Sequence, residues 1–261
     1  MSTRWRHPGW SGAAIYAIAA GVVGAVLTVV ARVQVAGARS RAAVVRTLPD
    51  GPVIVISNHT SYVDGLLLAI VCRRLGRSAR MLATAGVFKA PLVGTVALRI
   101  GFIPVSRGAA NASDALGPAA EALAAGELVA IFPEGRLTRD PDRWPEKAKT
   151  GAVRLALQTG APIVPVALEG AYRVVGRRKL VSSLLKNVIL RPKVATAIGE
   201  PIDVRALLDG PETPDEIRRI TDVVWSRLID LVEQLRGQEA PAESGVDPDS
   251  FMSRSVAGTG D

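Results

Sequence analysis

Apolar residues along this chain come in two rhythms. Residues 8–31 contain no charged side chain, and a stretch of that length suits a helix crossing a bilayer, which takes about 20 residues. From residue 47 onward the apolar runs are short. Those at 53–57, 102–105, 128–132, 163–168 and 188–190 are each bounded by Gly, Pro or polar residues and predict strands. The segments 63–73, 112–125 and 148–158 lie between them and predict helices. The alternation predicts an α/β fold, a mixed sheet covered by helices. Pro165 inside an apolar run predicts an edge or a bulge at that point. The last helix is the best marked. Thr213-Pro214-Asp215-Glu216 reads as a capping box with Pro at the first helical position. Ile217, Ile220, Val224, Leu228 and Leu231 then form one apolar stripe that ends at Gly237. Three parts are expected: an N-terminal membrane-associated segment over 1–46, one α/β domain over 47–236, and a polar tail over 237–261, read as disordered.

Composition sharpens this picture. Hydrophobic residues make up 48% of the 261 and aromatics only 4%, so the core is expected to rest on Val, Leu, Ile and Ala. The single cysteine, Cys72, excludes an intrachain disulfide and a Cys-rich metal site. It lies in an apolar run and reads as a buried thiol. The net charge is +8. The tail holds Glu239, Glu243, Asp247, Asp249 and Asp261 against Arg254 alone, so the surplus on the rest of the chain is larger still. Such a surplus implies an anionic partner. No zinc-finger, helix-turn-helix or aromatic RNA-binding pattern accompanies it, so nucleic acid is not expected. An anionic membrane and phosphorylated substrates fit better.

The uncharged stretch has three readings: a spanning anchor, a helix lying in one leaflet, and a cleaved signal peptide with a small-x-small site at Ala36-Gly37-Ala38. Signal cores run to roughly 7–15 residues, shorter than this one, and Arg32 intervenes before the site. Basic residues flank the stretch on both sides, and the heavier arginine cluster within 39–46 favours a body on the cytoplasmic face of the inner membrane.

Four blocks carry chemistry. The first is Asn58-His59-Thr60-Ser61-Tyr62-Val63-Asp64, directly after an expected strand. The chain has two histidines, and the other, His7, sits in the basic leader. An imidazole can act as base and then as acid near neutral pH. Asp64 is placed to hold its far nitrogen; on spacing alone the same residues could merely cap a helix start. Asn58 can bond the turn. The second block, Gly101 to Gly108, delivers Arg107 from a strand into a loop, where a guanidinium fork can grip phosphate or simply face solvent. The third is Phe132-Pro133-Glu134-Gly135-Arg136-Leu137-Thr138, a tight turn bearing both charges. Arg136 is a candidate for a second phosphate grip. Glu134 either bonds substrate hydroxyls or holds the arginines, unless the two charges form only a local turn salt bridge. The fourth runs from Ala161 to Gly170 around Val164-Pro165-Val166.

In this order the blocks resemble the 1-acylglycerol-3-phosphate acyltransferase family, marked by Asn-His-x-x-x-x-Asp, a Gly-x-Ile-x-Val-x-Arg type block, Phe-Pro-Glu-Gly-x-Arg or a close variant, and Val-Pro-Val. The resemblance covers about residues 50–170. The chain departs from it in placing Arg136 directly after Gly135, and in having only Arg80 and Lys89 as cations between residues 80 and 90, where family members often carry lysines. The resemblance implies a glycerolipid acyltransferase fold and acyl transfer from acyl-CoA or acyl-carrier protein to the sn-2 hydroxyl of lysophosphatidic acid, giving phosphatidic acid. It implies His59 and Asp64 as the catalytic pair, and Asn58, Arg107, Glu134, Gly135 and Arg136 on the substrate. A thioester is already activated, so no metal or other cofactor is expected. A hydrolase is disfavoured because no Gly-x-Ser-x-Gly elbow is present.

Overall fold

All five residues of the strand Val53–Ser57 are buried, as an apolar run covered on both faces should be. Their side chains divide by alternation. Ile54 and Ile56 enter one hydrophobic cluster and Val53 and Val55 the other, so this strand runs through the middle of a three-layer molecule. The computed structural model describes residues 5, 7–35, 48–105, 112–175, 180–241 and 244.

Seven strands form the sheet: β1 (Arg32–Val35), β2 (Val53–Ser57), β3 (Ala79–Thr84), β4 (Ile103–Val105), β5 (Leu128–Ile131), β6 (Ile163–Glu169) and β7 (Lys193–Ile198). Their spatial order is β1-β7-β6-β2-β5-β3-β4. Every neighbouring pair is parallel except β6 with β7, which makes the sheet mixed, as expected. The described helices are α1 (Gly9–Val30), α2 (Asp64–Arg74), α3 (Ala85–Lys89), α4 (Val93–Arg99), α5 (Ala112–Ala124), α6 (Gly151–Thr159), the single turn α7 (Ala171–Val174), α8 (Leu180–Leu190) and α9 (Pro214–Arg236). Residues of α5, α6 and α9 join Ile54 and Ile56 on one face. Residues of α1, α2 and α7 join Val53 and Val55 on the other.

Several expectations are corrected. Residues 188–190 end helix α8 rather than forming a strand. Strands β1, β3 and β7 and helices α3 and α4 carry no clear period and were not expected. In β3 the interruption is Arg80, which is buried because Nη1 donates to Ile100 O at 2.7 Å and Nη2 meets Glu127 Oε1 at 2.9 Å. Pro165 lies opposite a bulge, whose extra residue falls in the partner segment 199–201. The β6–β7 ladder pairs Val166 with Ile198, while the next bridge pairs Ile163 with Ile202, so three steps on one strand face four on the other.

The last helix starts as read, with Thr213 Oγ1 accepting from Glu216 N at 3.2 Å. The second half of the box is diverted: Glu216 Oε1 accepts from Asp209 N at 3.0 Å. Cys72 is buried, and burial pushes its thiol up to about 12. The Arg cluster within 39–46, the Ala36-Gly37-Ala38 site, Arg107, and all of the tail beyond 241 except Ser244 lie outside the described residues.

Candidate active site

Parallel strands β2, β5, β3 and β4 all end at one edge of the sheet, and in open α/β sheets ligands bind outside the carboxyl ends of the strands. The first block leaves β2 at that edge, the third leaves β5, and β4 points the second block the same way. Topology thus gathers segments separated by some 80 residues of sequence.

His59 Nδ1 lies 3.1 Å from Asp64 Oδ2. The same oxygen accepts from Thr60 N at 2.6 Å and Ser61 N at 2.7 Å. Asp64 is the first residue of α2, so the five-residue spacing is a loop that wraps its own carboxylate before the helix begins. The helix-cap reading is corrected: no side chain caps the start of α2, and the Asp64 carboxylate instead binds the amides of the preceding loop and faces the imidazole. Asp64 is completely buried, and burial raises its pKa against the pull of His59 and the two amides. Its other oxygen, Oδ1, has no hydrogen-bond partner. With Nδ1 occupied, Nε2 is the nitrogen left for a substrate proton, and the His59 side chain remains 21% exposed. The Phe132 ring stacks on the imidazole at 4.2 Å between centroids, with an interplanar angle of 19°. Tyr62 and Leu66, both exposed, give the neighbouring start of α2 an apolar surface.

The third block lies directly against the first. Thr138 N donates to His59 O at 2.8 Å, and His59 N donates to Glu134 Oε1 at 2.8 Å. Glu134 Oε2 accepts from Glu146 N at 3.2 Å. Glu146 in turn takes Arg136, whose Nε and Nη2 reach Oε2 at 3.1 and 2.7 Å, and its Oε1 takes Arg139 N at 2.7 Å. Glu134 is therefore buried among backbone amides, not presented to substrate hydroxyls, and its expected place on the substrate is corrected to that of a brace. Burial pushes its carboxyl up to about 8, against the two amides that favour the ionised form. The local turn bridge between Glu134 and Arg136 is likewise replaced: the arginine's ion-pair partner is Glu146.

Asn58 is corrected in the same way. It is fully buried, with Nδ2 donating to Leu168 O at 2.8 Å and Oδ1 accepting from Leu168 N at 2.9 Å. A side-chain amide that takes one backbone residue on both sides extends the β2–β6 pairing beyond its last ladder pair and sets where His59 leaves the sheet. Gly135 stands at φ +69°, and it is this left-handed conformation that calls for glycine; the Lys149 Nζ that a Cβ would approach ends a flexible side chain and could move aside. Arg136 remains 35% exposed at the site. Sequence reasoning missed Glu146 and Lys149, which lie in the irregular stretch before α6. An acid beside Trp144-Pro145 gives no periodic signal.

A family model described as Acyltransferase matches residues 32–169. The chain belongs to that family. Among curated relatives, a chloroplastic 1-acyl-sn-glycerol-3-phosphate acyltransferase of Brassica napus is 32% identical over 126 residues, covering 48% of this chain and 35% of the relative. A second, of Bacillus subtilis, is 26% identical over 186 residues, covering 71% of this chain and 84% of the relative. The chain spans about a third of the length of the chloroplastic relatives it matches. The crystal structure of the 1-acyl-sn-glycerophosphate acyltransferase of Thermotoga maritima aligns with a TM-score of 0.59 at 23% identity, covering 90% of this chain and 86% of that one, which establishes the shared acyltransferase fold. The matched segment contains the His59–Asp64 pair and the Glu134 brace; α8, β7 and α9 lie beyond it.

Proposed function

We propose that this chain transfers a fatty acyl group from an acyl thioester, acyl-CoA or acyl-carrier protein, to the sn-2 hydroxyl of 1-acylglycerol-3-phosphate at a membrane surface. The observation that carries the reading is His59 Nδ1 held 3.1 Å from the buried Asp64 carboxylate, with the His59 side chain still partly exposed. Asp64 orients the imidazole and stabilises the imidazolium. Nε2 takes the hydroxyl proton as the alcohol oxygen attacks the thioester carbonyl. The C–S bond then breaks, and the departing thiolate takes the proton back from the imidazolium. General base catalysis of this kind supplies about 10²–10⁴-fold in rate. Arg136, fixed by Glu146, is the phosphate grip; Arg107, two residues after the end of β4 in the sequence, is the second. Positioning of that kind lowers a barrier by several kcal/mol, on the order of ~7–11 at best. The exposed Tyr62 and Leu66 suit a substrate with an acyl chain.

The test is a mass-spectrometric assay of the purified chain with acyl-CoA or acyl-carrier protein, offered lysophosphatidic acid, glycerol-3-phosphate and head-group-bearing lysophospholipids. Phosphatidic acid is the expected product. Acylation of another acceptor only, or release of free fatty acid, would overturn the assignment.

A further inference from the structure

The stretch 171–199 contains seven lysine and arginine residues and no acid. Within it α8 leaves Leu185, Val188, Ile189 and Leu190 exposed, Ile189 by 84%. Lys186, Arg191 and Lys193 are exposed beside them. This apolar face does not stand alone. α8 packs on α1, and Arg191 Nη2 donates to Thr28 O at 2.6 Å. On α1 itself Trp10, Ile18, Val22, Val26 and Val29 are exposed.

α1 is also fastened to the body at both ends. Near its start Ala79 N donates to Tyr16 Oη at 3.1 Å, and Gly12 lies so near Arg99 that a Cβ would approach its carbonyl oxygen to 2.5 Å. At its end Leu27, Val30 and Ala31 are buried in the core, and the chain runs straight into β1, paired with β7. A 22-residue helix is about 33 Å long. With both ends on the same polar domain it lies along that domain and has no route across a bilayer.

We infer that α8 is a second membrane-contact element, and that α1 and α8 together form one apolar face that seats this chain on the surface of an anionic bilayer. The inference deepens the proposed function by naming the surface that brings the site to its lipid substrate. A basic, acid-free segment around exposed aliphatic side chains is the pattern of an interfacial helix, held by apolar burial together with attraction to anionic headgroups. A soluble protein partner would leave the acid-free composition unexplained.

The test uses the full chain and needs no substrate. Flotation with vesicles of phosphatidylcholine and phosphatidylglycerol is compared for the unaltered chain and for Val188→Asp/Ile189→Asp. Both side chains are exposed, so the fold should be kept, as circular dichroism would verify. The double variant should bind vesicles about tenfold or more weakly. The unaltered chain should lose binding when phosphatidylglycerol is omitted or salt is raised. Unchanged flotation of the double variant overturns the inference. So does a change confined to oligomeric state in light scattering, which would make the face a contact between copies. Loss of vesicle binding together with absence of acyl transfer in the assay above would overturn the proposed function and leave the membrane face standing.

Discussion

At His59 one ring nitrogen, Nδ1, faces Asp64 at 3.1 Å, and the proposed proton transfer falls to the other. His59→Ala should lower acyl transfer by ~10²–10⁴-fold; the ring also stacks on Phe132 and faces the buried Asp64, so circular dichroism is needed to verify that the variant is folded. A folded and fully active variant would remove this residue from the mechanism. Glu134 behaves differently, since its charge is unwelcome where it sits. The carboxyl titrates near 8 in the fold against an ordinary 4.5, so the folded chain binds the extra proton between those values. Its stabilising contribution is complete below the lower value, declines as pH rises and is gone above the upper one. Glu134→Gln should cost stability through an amide facing a backbone N–H, and the deficit relative to the unaltered chain should narrow as pH rises from about 5 to about 9. Parallel melting curves with a constant gap would show that Glu134 does not titrate there. The His59–Asp64 pair was readable from a five-residue spacing because the contact is local. Asn58 was not, because its partner is Leu168, 110 residues away, and nothing at Asn58 announces it.

At the scale of elements, local signals worked where they describe a self-sufficient piece of chain. The start of α9 was legible because Thr213, Pro214 and the apolar stripe act within one helix. Thr213→Ala should cost about 1 kcal/mol and lower the melting temperature by ~2–4 °C, with no effect on catalysis; an unchanged melting curve would mean that Glu216 N finds another acceptor. Residues 188–190 misled because three apolar residues satisfy a strand and the end of a helix equally. The three that precede Arg191 are exposed, which no buried strand permits. β7 was hidden for the complementary reason. It alternates weakly and gains its identity from pairing with β6 and β1, contacts that form only after the sheet is assembled.

For the molecule as a whole, the alternation of short apolar runs with helical segments carried the helix-covered mixed sheet, and the order of the four blocks carried the family resemblance. Neither disclosed that the N-terminal helix belongs to the core. Tyr16, Leu27, Val30 and Ala31 are buried against the domain, and full burial of a Leu or Val side chain is worth about 1.5–3 kcal/mol. A chain beginning at residue 32 should therefore melt well below the full chain and aggregate, as differential scanning calorimetry and light scattering would show. An equally stable truncated form would make α1 an appendage. One further consequence follows from the relay of Glu134 and Glu146. Glu134 and Glu146 link the backbone N–H of His59 to the guanidinium of Arg136, so the proposed proton acceptor and the proposed anion clasp hang from one buried hydrogen-bonded chain that limits how far apart they can stand. A molecule with one extra carbon between its phosphate and its hydroxyl should bind at one end, overshoot at the other, and leave unmodified.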